Sequence, residues 1–204
     1  MQLVTAALGF FVLLSCNGVL QAQRPSFGRC PRVGSGKTLD LDKMKGRWYE
    51  VERSFYIYEL NRRCIKMDMT PEGKGIRITT KAVSRTSDSP VSDSAVATPK
   101  STGSAQMRLV VDTDFSRRLP GGLRRVLPGN GDYVVLKTDY DTYAIVYSCS
   151  DLGILHADLI WVLARTQDLP VTKRLEIYNA LEREGLGGSD RLTLTSHRDC
   201  PSDH

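Results

Sequence analysis

Ser148, His156 and Asp158 are the residue types that activate a hydroxyl nucleophile when an imidazole can take its proton and a carboxylate can orient the ring. Their spacing argues against that chemistry. His156 and Asp158 are two residues apart in an alternating stretch, which sets both on one strand face. No Gly-x-Ser-x-Gly elbow or glycine-rich phosphate loop accompanies them. The three read as surface polar residues, and no enzyme activity is expected. Metal chemistry is equally unsupported. Cys30, Cys64, Cys149 and Cys200 are tens of residues apart, unlike a C-x-x-C pair, and His156, His197 and His204 are not clustered with them.

The cysteines have another use. Residues 1–22 contain no charged side chain, and Val4 to Leu14 forms an apolar stretch of signal-peptide length. Leu20-Gln21-Ala22 fits cleavage before Gln23, leaving residues 23–204 as one domain. Two other readings of the segment are an amino-terminal core element and, from Leu13-Leu14-Ser15-Cys16, a lipid attachment site. Cleavage removes Cys16. Four cysteines in an exported chain read as two disulfides, with three connectivities open.

Composition bounds the rest. The chain has 204 residues, 41% hydrophobic and 25% charged, with a net charge of +5. These are globular proportions. Beyond the amino-terminal segment there is no apolar run long enough for a membrane helix. The mild positive charge favours an anionic surface without predicting nucleic-acid binding.

The elements alternate at period two. Arg47 to Phe55 carries Trp48, Tyr49, Val51 and Phe55. Cys64 to Thr70 sets Ile65, Met67 and Met69 on one face, and Ile76 to Ala82 sets Ile76 and Ile78. Pro71 to Gly75 is turn chemistry, so the two runs predict a hairpin. Ser84 to Ser94 is loop-like, Ser94 to Thr98 a short strand, and Gln106 to Asp112 places Met107, Leu109 and Val111 together. Asp132 to Lys137, Thr142 to Ser150 and Leu155 to Arg165 are further strands. After Pro170 the period becomes helical through Leu175, Ile177, Tyr178 and Leu181, with Thr172 as cap and Gly185 as stop. Leu192 to Thr195 is a last strand. About eight strands before one helix predict an all-β antiparallel barrel rather than an immunoglobulin-type sandwich.

Three segments then combine: Gly46-Arg47-Trp48-Tyr49-Glu50, Thr138-Asp139-Tyr140 and Arg165. In order and separation they resemble the three conserved regions of the lipocalin family. Thr138 to Cys149 is similar to apolipoprotein D and plasma retinol-binding protein. Gly28-Arg29-Cys30-Pro31 and Asn61 to Ile65 lean toward the apolipoprotein D and Lazarillo-like members. The resemblance implies an eight-stranded up-and-down β-barrel with one carboxy-terminal helix packed outside. It implies Trp48 plugging the closed end under Arg165, both structural, and disulfides Cys30–Cys149 and Cys64–Cys200. Tyr133, Val135, Ala144 and Val146 would point inward, Tyr143 and Tyr147 outward under the helix. In the last barrel strand the inward set is Ala157, Leu159, Trp161 and Leu163.

The expected function is a secreted carrier of a small hydrophobic ligand: a lipid, retinoid, sterol, carotenoid or bilin. Its candidate ligand-binding residues are Ile65, Met67, Met69, Ile78, Met107, Leu109, Tyr133, Val135, Val146, Leu159 and Trp161. Methionines and an absence of buried charge would suit a flexible apolar guest. No cofactor or metal is expected. Asn17, Asn61, Asn130 and Asn179 all lack a glycosylation sequon, although apolipoprotein D-like proteins often carry glycans. Arg117, Arg118, Arg124 and Arg125 would sit in a loop at the open end, read first as solvated, with contact to a membrane surface or an acidic partner as the functional alternative. The rival reading is an extracellular interaction protein acting through the open-end loops, with no transported ligand.

Overall fold

Side chains that alternate in and out need a sheet with a core on one face, and a closed sheet leaves no edge exposed. The computed structural model describes residues 26–55, 59–112, 131–151 and 153–201. The segment expected to be a signal peptide, with Cys16, and the four arginines expected at the open end lie outside the described residues.

The strands are β1 (Ser26–Phe27), β2 (Gly46–Ser54), β3 (Arg62–Glu72), β4 (Gly75–Ser84), β5 (Pro90–Pro99), β6 (Gln106–Asp112), β7 (Gly131–Thr138), β8 (Tyr143–Asp151), β9 (Leu155–Ala164) and β10 (Leu192–Leu194). The helices are α1 (Leu41–Met44) and α2 (Val171–Arg183). From β2 to β9 each strand pairs antiparallel with the next, and β9 pairs back with β2, closing eight strands into a barrel. The short β1 adds to β9, and β10 lies against the second half of β2.

β3 and β4 form the expected hairpin, with Glu72 opposite Gly75 and Gly73 at φ 57°. That is the first central position of the loop, where a type II′ turn requires positive φ. Gly75 is needed for a different reason: a Cβ there would lie 2.3 Å from the Ala97 carbonyl oxygen of β5. β5 is longer than its sequence suggests. It begins at Pro90, opposite Val83, so the loop reading of Ser84 to Ser94 holds only for its first residues. Proline is tolerated at a strand's first residue.

Helix α2 lies on the barrel's outer face. Glu176 accepts from the Tyr143 hydroxyl at 2.9 Å and from Lys137 at 2.7 Å, while Lys173 reaches Asp139 at 3.0 Å. These donors hold the Glu176 carboxyl down to about 2. At the other edge Tyr178 donates to Glu52 at 2.9 Å, and Arg174 pairs with the same carboxylate. Two sequence expectations are corrected. The N-cap is Pro170, with no side-chain cap bond, and Thr172 lies inside the helix; proline's fixed φ suits a helix start. Leu175 is 59% exposed, and the buried stripe is Ile177, Ala180 and Leu181, because the ion pairs of Lys173, Arg174 and Glu176 fix which side meets the sheet. The stop is as expected. Gly185, at φ 72°, donates to Glu182, and Leu186 donates to Leu181, the two bonds of a Schellman motif.

The disulfides are Cys30–Cys149 and Cys64–Cys200, the pairing the resemblance implied. The first ties the amino-terminal arm to β8, the second the carboxy-terminal tail to β3.

Candidate functional site

The site is built from its sealed end. Asp40 caps α1, its Oδ1 accepting from Asp42 N at 3.0 Å and Lys43 N at 3.4 Å. This short turn presents the Met44 carbonyl to Trp48, whose Nε1 donates to it at 2.8 Å. The guanidinium of Arg165 lies 3.7 Å from the Trp48 ring centroid. It also donates to four backbone carbonyls, those of Lys43, Lys45, Arg47 and Tyr140, at 2.8–3.0 Å. Stacking and bonding together require a planar fork, which lysine does not offer. Gly46, at φ 91°, starts β2 beside Arg165. Thr138 donates to the Tyr143 carbonyl at 2.7 Å and accepts from Tyr140 N at 2.9 Å, while Asp139 accepts from Thr142 N and Tyr143 N. Their turn holds Tyr140 at φ 65°, where its carbonyl meets Arg165 and its hydroxyl accepts from Asp40 N. The three motif segments thus form one plug.

Strand register fixes the interior, since directly opposed residues share a face. Trp48 opposes Met67, Met69 opposes Ile78, and Ile76, Ala97 and Leu109 align across three strands. Met107, Tyr133, Ser148 and Leu159 align, as do Val135, Val146 and Trp161. The opposite face carries Lys137, Tyr143 and Glu52, which touch α2, so the first set is inside. Ile65 shares the parity of Met67. All eleven candidate ligand-binding residues are buried. Burial pushes the Tyr133 phenol well above its usual range.

The absence of buried charge expected from the sequence is overturned. Glu50, Arg53 and Glu59 are all buried, and pairing puts two of them inside. Glu50 opposes Leu163 and Arg53 opposes Trp161, because β2 bulges between Glu50 and Glu52. Arg53 Nη1 donates to Glu50 Oε1 at 2.6 Å and to Thr195 Oγ1 at 3.1 Å, and its Nη2 donates to the Glu59 carbonyl at 2.7 Å. The Thr195 hydroxyl donates to Glu50 Oε1 at 2.6 Å. Trp161 Nε1 donates to Glu59 Oε2 at 3.3 Å, and Arg53 Nε lies 3.5 Å from the same oxygen. Burial and the neighbouring Glu50 carboxylate push the Glu59 carboxyl up to about 8, against the pull of Arg53, Trp161 and Arg62. Glu50 Oε2 is buried with no hydrogen-bond partner among the described residues, and so is Ser148 Oγ.

Ser148, His156 and Asp158 are not a surface cluster. Ser148 is buried on the inner face opposite Tyr133. Asp158 opposes Cys149 on the outer face and is paired with Arg191 at 2.7 Å. His156 is buried on that same outer face, its Nδ1 3.1 Å from the Gly28 carbonyl oxygen. The barrel wall separates the hydroxyl from both would-be activators.

A closed antiparallel barrel with a tryptophan–arginine plug and an inward apolar lining defines a class, and the family comparison agrees with it. Residues 45–198 match the model of the lipocalin / cytosolic fatty-acid binding protein family. The chain belongs to that family. It is apolipoprotein D-like: it is 29% identical to apolipoprotein D of Cavia porcellus over 182 residues, 89% of each chain. It is 23% identical to the bilin-binding protein of Pieris brassicae, covering 91% of this chain and 93% of that one. In fold it is similar to lobster apocrustacyanin A1, with a TM-score of 0.70 at 18% identity, covering 91% of this chain and 97% of that one.

Proposed function

We propose that the protein is a secreted carrier that holds one small hydrophobic molecule inside its barrel. The observation that carries this reading is the pairing of a plugged end with an inward face built from Ile65, Met67, Met69, Ile78, Met107, Leu109, Tyr133, Val135, Val146, Leu159 and Trp161. Binding would draw on buried apolar area at ~25 cal/mol per Å². The relatives support it, one being named for the bilin it binds. Two disulfides and the uncharged segment over residues 1–22 support export. No enzyme activity is proposed, since Ser148 faces away from His156 and Asp158.

The interaction-protein reading has one observation in its favour. Phe27 and Ile154 are both large, apolar and exposed, and they are neighbours at the mouth, where Gly28 N donates to the Ile154 carbonyl at 2.9 Å. Organic extraction of protein purified from its native source, followed by mass spectrometry, separates the two. The carrier reading expects an apolar small molecule in stoichiometric amount. Protein that comes out bare and binds no apolar probe supports the interaction reading.

A further inference from the structure

We infer that the guest is amphipathic, with an uncharged hydroxyl end that donates a hydrogen bond to Glu50 Oε2. The inference rests on the carrier reading and adds the chemistry of the ligand's polar end.

A buried carboxylate oxygen without a partner is costly, and native proteins satisfy such atoms. Glu50 is 0% exposed. Its Oε1 is saturated by Arg53 Nη1 and the Thr195 hydroxyl, each at 2.6 Å, while its Oε2 accepts from nothing among the described residues. The residue faces the interior through its pairing with Leu163. The remaining capacity of Glu50 is therefore that of an acceptor.

The nitrogen donors beside it, those of Arg53 and Trp161, are directed at acceptors the protein already supplies. Each nitrogen of Arg53 is engaged, by Glu50 and Thr195, by the Glu59 carbonyl, and by Glu59 Oε2. The indole N–H of Trp161 is directed at Glu59 as well. At Glu50 Oε2 a carboxylate or carbonyl end would meet an oxygen instead of a donor, and a carboxylate would add like charge beside Glu50. An ammonium end would bring a cation close to Arg53. A hydroxyl meets the unpaired acceptor with neither penalty, while its apolar body lies against Trp161, Leu163 and Val146 on the same inner face.

The test compares four ligands with one skeleton: retinol, its methyl ether, retinoic acid and retinylamine. Binding is read at neutral pH from quenching of Trp161. Retinol is expected to bind at least about tenfold tighter than the methyl ether, the range of a charge-assisted hydrogen bond, and tighter than the acid or the amine. Glu50→Gln, which keeps the side chain's shape, is expected to abolish the alcohol-over-ether preference. If the ether, acid or amine matches retinol, the hydroxyl inference is overturned while the carrier reading stands. If none of the four binds, the hydroxyl inference falls, and the extraction experiment decides the carrier reading separately. The wild-type comparison decides the matter even if the Glu50 variant does not fold.

Discussion

Trp161 Nε1 points at Glu59 Oε2 from 3.3 Å, joining the middle of β9 to the loop between β2 and β3 inside the barrel. The chain has two tryptophans. The other, Trp48, is sealed beneath Arg165 at the closed end. Trp161→Phe is therefore expected to remove most ligand-induced fluorescence quenching while leaving the Trp48 emission in place. Titration of this variant with an apolar quencher checks it. Undiminished quenching would mean that ligands do not reach Trp161.

The same pair makes stability depend on pH. Glu59 is faced by Glu50 and Arg53 from β2, by Arg62 from β3 and by Trp161 from β9. Its folded value, about 8, lies above its ordinary value of 4.5, so between those limits the folded state binds more protons than the unfolded one. Stability contributed by this group is fully present below the unfolded value and is lost as pH rises through the folded one. The slope reaches at most ~1.4 kcal/mol per pH unit. Glu59→Gln should flatten the urea midpoint between pH 5 and 8. A wild-type midpoint that rises with pH across that window would contradict this placement of Glu59.

Arg165 bonds four carbonyls and stacks on Trp48. Arg165→Ala is expected to cost about 2–4 kcal/mol in urea denaturation, the sum of a lost cation–π contact and unsatisfied carbonyls. Arg165→Lys should recover only a minor part, since an ammonium cannot make the fork. Full recovery by lysine would show that charge alone holds the plug.

The Cys30–Cys149 bond closes a separation of 119 residues, for which chain entropy assigns ~4–5 kcal/mol. Replacing both cysteines with serine should lower unfolding stability by up to that amount. It should also release β1, whose pairing with β9 at Ser26 and Phe27 depends on the arm being held. Hydrogen exchange at Gly28, which donates to Ile154, would report the release. Unchanged protection there would show that the arm is held by its own contacts.

What was legible in the sequence was what alternation encodes. Met67, Met69, Met107 and Leu109 announce their face because polar residues separate them, and the plug residues announce themselves by motif. The charged corner did not. Glu50-Val51-Glu52-Arg53 reads as an ordinary strand with a solvated face, yet the bulge after Glu50 inserts one extra residue. Glu50 and Arg53 then share the inside, while Glu52 turns out to Arg174 and Tyr178. A bulge leaves no period in the sequence to detect. Glu59 reaches the interior from a loop, where periodicity carries no information. Leu175 fits the helical spacing and is nonetheless exposed, because ion pairs to the sheet decide which side of α2 docks.

The central claim is that the interior receives a guest, and a saturation experiment addresses it most directly. Titrating the folded protein with retinol should give saturable binding of one molecule per chain by Trp161 quenching. Ser148→Trp, which fills the middle of the inner face, should abolish that binding while the protein keeps its β-sheet circular dichroism. Quenching that rises without saturation, or that survives Ser148→Trp unchanged, would contradict binding inside the barrel.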